Sequence, residues 1–131
     1  MILLDTHVLV WLAGDADRLS RPAAAAIRRA QASGGLAVAS ITLWEMAMLF
    51  ARGRLRGQGT TEAAIRALVE GTGVAVREIT PEVAAIATQL PPEFPADPAD
   101  RLIAATARAE GIPLVTSDER IQGSPLVKTI W

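Results

Sequence analysis

The sequence predicts an α/β domain with a central, mostly parallel sheet and crossover helices on both faces. Three observations carry that expectation. Short apolar runs at Ile2 to Leu4, Leu36 to Ala39 and Pro113 to Thr116 lack polar alternation, as strands buried on both faces do. Helix-length segments with caps and stops lie between them. No repeat and no linker interrupts the 131 residues, so residues 1–131 are expected to form one domain.

The first strand, Ile2 to Leu4, ends at Asp5, and the apolar stretch Val8 to Ala13 reads as a helix stopped by Gly14. Ser20 caps a second helix with Pro22 in its first turn, which runs through AAAAIRRAQA to the Ser33-Gly34-Gly35 break. Leu36 to Ala39 is the second strand. Ser40 or Thr42 then starts a helix carrying Trp44, Ala47, Met48 and Phe50, ended by RGRLRGQG. A helix over Thr61 to Glu70 precedes a strand over Val74 to Ile79, and Thr80-Pro81 opens another helix reaching Leu90. PPEFPADP breaks regular structure. Asp97-Pro98 starts the clearest helix, to Glu110 and the stop at Gly111. Pro113 to Thr116 is a strand ending near Asp118, and Val127 to Trp131 a last edge strand.

Composition narrows the chemistry. With 50% hydrophobic and 21% charged residues the chain is an ordinary globular one. The absence of cysteine excludes disulfides, thiolate zinc sites and cysteine nucleophiles. His7 is the only histidine, which rules out histidine-rich metal sites. No apolar run approaches the roughly 20 residues of a bilayer span, and Met1 leads into ILLDT without a signal peptide's charged start, so a cytoplasmic location is expected. A formal net charge of -1 gives no general attraction to nucleic acid, leaving that task to a local basic patch or a bound cation.

Four acids fall where an α/β sheet binds ligands, outside the carboxyl ends of its strands. Asp5 and Asp118 follow strands, and Glu45 and Asp100 lie in the first turns of helices. Local structure offers competing explanations. Asp97 and Asp100 flank Pro98 where carboxylates cap a helix, Thr42 and Glu45 match a capping box, and Asp118 suits a turn. Asp5 resists such an account, because an acid directly after ILL is costly unless paired, hydrogen-bonded or bound to a cation. Four converging carboxylates would raise one another's pKa in the absence of a cation. Oxygen-only ligands suit Mg²⁺ or Mn²⁺, and the reaction class that follows is metal-assisted phosphodiester hydrolysis.

The stretches ILLDTHVLVW, VASITLWEMAML and DPADRLIAATARAEGIPLVTSDERI, in this order, resemble the PIN-domain ribonucleases, and within them the VapC toxins of bacterial toxin-antitoxin systems. The resemblance covers essentially the whole chain. It implies a PIN-like three-layer α/β/α sandwich and a metal-dependent endoribonuclease. Asp5 and Asp100 look like the principal Mg²⁺ ligands, with Mn²⁺ able to substitute; Glu45 is a further ligand or orients the attacking water, and Asp118 is the fourth acid. Thr116 matches a family hydroxyl position that bonds metal-bound water or phosphate. Thr6 and Ser40 are weaker candidates behind the ligands, with capping as the alternative, and Asp97 is a supporting acid or a cap. Similar sequences carry a histidine where Pro95 stands here, which touches a substrate contact and no ligand position.

Arg101 either holds the scissile phosphate or pairs with Asp97. Arg52, Arg54 and Arg56 either contact RNA phosphates or complement a helix end. His7 either approaches the site or is satisfied by a backbone carbonyl. Trp11, Trp44 and Met48 are most simply core, or line a groove for a partner. The expected partners are a VapB-type antitoxin, an RNA substrate and a second copy in a homodimer, with no membrane. The alternatives are a catalytically inactive antitoxin-binding module with the PIN fold, or a Mg²⁺-dependent phosphatase using Asp5 as nucleophile. The phosphatase wants an acid two residues beyond Asp5, where His7 stands.

Overall fold

The computed structural model describes residues 1–131. Five strands, β1 (Ile2–Leu4), β2 (Leu36–Ala39), β3 (Ala75–Arg77), β4 (Leu114–Val115) and β5 (Thr129–Ile130), form one sheet in the order β3-β2-β1-β4-β5. Every pairing is parallel, where the sequence indicated only a mostly parallel sheet. The helices are α1 (Thr6–Gly14), α2 (Arg21–Ala32), α3 (Ile41–Ala51), α4 (Thr61–Thr72), α5 (Pro81–Gln89), α6 (Pro98–Glu110) and α7 (Glu119–Gln122). None is long and apolar enough to cross a membrane.

The strands are apolar on both faces because both faces are covered. Ile2, Leu4, Leu36, Val38 and Val115 pack with Val8, Leu9, Ile27 and Met46 from the helices α1 to α3, with α4 residues against them. Leu3, Ala37, Ala39 and Leu114 point the other way, onto Ile103, Ala104 and Ala107 of α6 and Ile121 of α7. Helix α5 packs on the outer side of α6 through Val83, Ala87 and Ala105. This is a three-layer α/β/α sandwich with period-2 alternation inside each strand. Burial of each large side chain contributes about 1.5–3 kcal/mol relative to exposure, so these layers dominate stability.

Caps set the helix boundaries. Ser20, Thr60 and Thr80 accept N–H bonds from Ala23, Ala63 and Val83, each worth about 1 kcal/mol. Gly73 and Gly111 end α4 and α6 in the left-handed region, at φ of 70° and 64°. The chain winds from β1 outward to β3, then returns to place β4 on the other side of β1. The helices change face at that reversal. The crevice this leaves lies at the carboxyl ends of β1 and β4, and Asp5 and Asp118 follow those two ends.

The edge strands are shorter than expected. The third strand is confined to 75–77 and the fifth to 129–130. Two short elements had no counterpart in the expectations: a 3-10 turn at Ala16–Arg18 and α7 itself.

Candidate active site

Asp5 is only 2% exposed, yet both its oxygens are engaged. Oδ1 accepts the Thr6 N–H at 2.9 Å and Oδ2 accepts the Thr116 hydroxyl at 2.6 Å. The latter contact follows from sheet register: Leu4 is paired with Val115, so the next residues, Asp5 and Thr116, emerge side by side. Thr116 Oγ1 also accepts the Asp118 N–H at 3.1 Å, linking the first acid to the fourth.

Thr6 links Asp5 to α3. Its hydroxyl donates to Glu45 Oε1 and lies 3.0 Å from Thr42 Oγ1. The capping-box reading of Thr42 and Glu45 is therefore overturned. Helix α3 begins at Ile41, and the completely buried Thr42 faces the neighbouring α1 instead of its own helix end. Ser40 occupies the N-cap position but its side chain makes no capping bond. Burial, the leading cause, raises the Glu45 carboxyl above its ordinary pKa; the Thr6 hydroxyl opposes the shift, Asp5 and Asp97 reinforce it, and His7 opposes it.

Asp97 is exposed and caps α6, accepting the Ala99 N–H at 2.8 Å. Asp100, one turn in, is half-buried. Its pKa is raised to about 7, first by burial and then by the charges of Asp97, Asp5, Asp118 and Glu45. Those four repulsions identify the acids of four separate elements as one electrostatic cluster. Asp118 is the N-cap of α7, a more specific role than the turn residue expected. Its Oδ1 accepts the N–H groups of Arg120 and Ile121 at 2.9 and 3.1 Å.

Two carboxylates held above their ordinary pKa, Glu45 and Asp100, beside further acids make a place that suits a cation. The donors are all carboxylate oxygens, without thiolate. No three acidic or imidazole side chains are disposed to enclose an ion by themselves. A cation here would complete its sphere with water and substrate oxygens, as Mg²⁺ habitually does and caged Ca²⁺ or structural Zn²⁺ does not. The residues thus fit a hard, hydrated cation.

Other candidate residues are placed differently from the expectation. Arg101 neither pairs with Asp97 nor points its guanidinium free for phosphate; it donates to four backbone carbonyls, of Leu90, Pro91, Phe94 and Pro95. Arg52, Arg54 and Arg56 are exposed in the turn after α3. None of the three pairs with an acid or is among the charged groups acting on Glu45 and Asp100, so the arginines are not brought against the carboxylates. Arg56 instead borders a cleft of about 650 Å³ lined by Leu12, Phe50 and Leu68, with none of the four acids.

The reading of His7 as satisfied by a carbonyl also gives way. Nε2 lies 3.5 Å from Asp5 Oδ2, and the ring packs against Trp11, with centroids 5.3 Å apart. Trp11 is flanked in turn by Trp131 and by the Arg18 guanidinium at 4.7 Å. It and Met48 are half-buried, whereas Trp44, 57% exposed, is not core. Nothing local marks Thr42 as a site residue, because its partner is 36 positions away; the sole hint is a hydroxyl between Ile41 and Leu43.

Residues 2–123 match the PIN domain family model. Ribonuclease VapC22 of Mycobacterium tuberculosis is 42% identical over 132 residues, spanning 99% of this chain and 98% of that protein. Among solved structures, VapBC2 from Rickettsia felis bound to a promoter DNA fragment is similar with a TM-score of 0.73. It is 17% identical, with 98% of this chain and 97% of that one covered. DNA-bound VapBC from Salmonella typhimurium has a TM-score of 0.68 at 21% identity, again covering 98% and 97%. At such identities the structural likenesses bear on the fold.

Proposed function

The chain belongs to the PIN domain family, and from that premise we propose that it is the toxin of a toxin-antitoxin pair, an endoribonuclease that hydrolyses RNA phosphodiester bonds. The observation that carries this reading is the linkage of Asp5 to Glu45 through Thr6 and to Asp118 through Thr116, with Asp100 close enough to feel the charge of all three. The 42% identity to Ribonuclease VapC22 supports RNA as the substrate. The antitoxin partner, of VapB type, is extended to this chain from relatives described as VapBC complexes. Action in the cytoplasm as a homodimer completes the proposal.

Asp5 and Asp100 would hold the cation, which we take to be Mg²⁺ with Mn²⁺ as a substitute. When bound, the ion supplies charge for the developing phosphorane oxygens and acidity for a coordinated water. The protein's own contribution is positional. Thr116 and the Thr6 amide hold Asp5 in one rotamer, and Thr42 and Thr6 aim Glu45. With its raised pKa, Glu45 is suited to orient the attacking water and receive its proton. The new bond forms between that water oxygen and phosphorus, the bond from phosphorus to the leaving ribose oxygen breaks, and that oxygen takes a proton from solvent. Asp118, fixed through Oδ1 by its cap, has no protein partner on Oδ2 and would support the cation with that oxygen.

The test is cleavage of single-stranded RNA by purified protein with Mg²⁺ or Mn²⁺. Activity that disappears with chelator and in a folded Asp5→Asn variant supports the reading. Unchanged activity in that variant sinks it.

A further inference from the structure

The connection from Leu90 to Asp97 contains Pro91, Pro92 and Pro95, and Pro98 follows; each proline removes a backbone N–H. Its carbonyls therefore lack enough local donors. Arg101 supplies them from across the turn: Nε donates to Pro95 O at 2.9 Å and Nη1 to Leu90 O at 3.0 Å, while Nη2 donates to Pro91 O at 3.1 Å and Phe94 O at 3.2 Å. The guanidinium lies 6.0 Å from the centroid of Phe94, whose ring is buried in the core with Leu90. One side chain thus binds the loop to the first turn of α6.

Asp100 immediately precedes Arg101, and only burial and neighbouring charges act on its carboxyl; no hydrogen bond holds it. Asp97 is held only to its own helix, through Ala99. The place of both carboxylates therefore depends on where α6 begins and how it is rotated. We propose that Arg101 is a positioning residue for the hydrolytic site: by gripping four carbonyls of the Leu90–Pro95 loop, it sets the start of α6 and so holds Asp100 opposite Asp5. It acts as a strut and not as a counter-ion, since it forms no ion pair with Asp97 or Asp100. That leaves the acids unneutralised for a cation. Lysine would not substitute, because a point ammonium with three donors lacks the planar fork that reaches four acceptors.

The inference rests on the hydrolase reading, and the experiment separates the two. Mn²⁺ affinity is measured by calorimetry on wild type, Arg101→Lys and Arg108→Lys, together with kcat and KM for RNA. Arg108 binds a single carbonyl, Leu126 O, away from the site, so its variant reports general loosening. Arg101→Lys should weaken Mn²⁺ binding about 10-fold or more and lower kcat by about 100-fold, with KM for RNA little changed. Arg108→Lys should leave Mn²⁺ affinity at the wild-type value.

Wild-type Mn²⁺ affinity in Arg101→Lys, an equal loss in Arg108→Lys, or a raised KM at unchanged kcat overturns the positioning role. Wild type that binds no Mn²⁺ overturns the hydrolase reading and this inference with it. Should Arg101→Lys fail to fold, Pro95→Gly keeps the arginine and loosens the loop it grips. That variant should lose about 3-fold in Mn²⁺ affinity, and an unchanged value overturns the proposal.

Discussion

Asp5 and Asp100 face one crevice but are held in opposite ways. Asp5 leaves the central strand, is almost fully buried, and has its oxygens bound by an amide and a hydroxyl. Asp100 stands on a helix, half-exposed and without a hydrogen bond, and its pKa is raised to about 7. The strand side of the site is built by the sheet register itself. The helix side depends on a proline-rich loop and the arginine that grips it. One half is rigid because a neighbouring strand supplies its partners; the other is exact in position only insofar as its backbone is.

Substitutions can break that contrast, and the largest effect belongs to the strand side. Asp5→Asn should reduce RNA cleavage by about three orders of magnitude, since several kcal/mol of charge stabilisation depend on the cation it would hold. Gel assays with Mg²⁺ measure this, with circular dichroism to confirm folding.

Thr116→Val follows. It leaves Asp5 Oδ2 without its hydroxyl donor and the Asp118 N–H without its acceptor, costing about 1–3 kcal/mol of stability by denaturant titration. It should also weaken Mn²⁺ binding about 10-fold. If stability falls and metal affinity does not, Thr116 supports the fold and not the ligand.

On the helix side the sign reverses. The folded pKa of Asp100 lies above its ordinary 3.8, so its contribution is fully present below about pH 4 and is lost as pH rises through about 7. Metal-free Asp100→Asn should therefore be more stable than wild type at about pH 8, by about 1 kcal/mol for a half-exposed, solvent-screened carboxyl, and the gain should vanish at about pH 4. Thermal melts at both pH values check this, and a variant less stable at the higher pH contradicts it. The smallest change is expected for Trp44→Ala, within about 0.5 kcal/mol by denaturant titration, because the ring is exposed.

Much of this fold is legible in the sequence because its inner strands are continuous apolar runs and its helices begin at evident caps. The start of α6 at Asp97-Pro98 and its end at Gly111 are both written locally. Edge strands are harder to bound: Val74, Val76 and Ile79 extend a strand-like pattern beyond the paired residues Ala75–Arg77. The four-residue α7 is too short to show a helical period. Within the site, the acids could be picked out by their places after strands and at helix starts. Their supports could not. Thr42 reaches Thr6 across two helices, and Arg101 binds carbonyls that carry no side-chain identity, although the run of prolines marks where donors are missing.

On the proposed function, these carboxylates make one cation-dependent hydrolytic site acting on RNA. The most direct measurement is cleavage of a defined single-stranded RNA by wild type and by folded Asp5→Asn, each with Mg²⁺ and with chelator. Cleavage by wild type with Mg²⁺ alone is the predicted result. Cutting of the same bonds at wild-type rate by Asp5→Asn, or undiminished cutting in chelator, would contradict it.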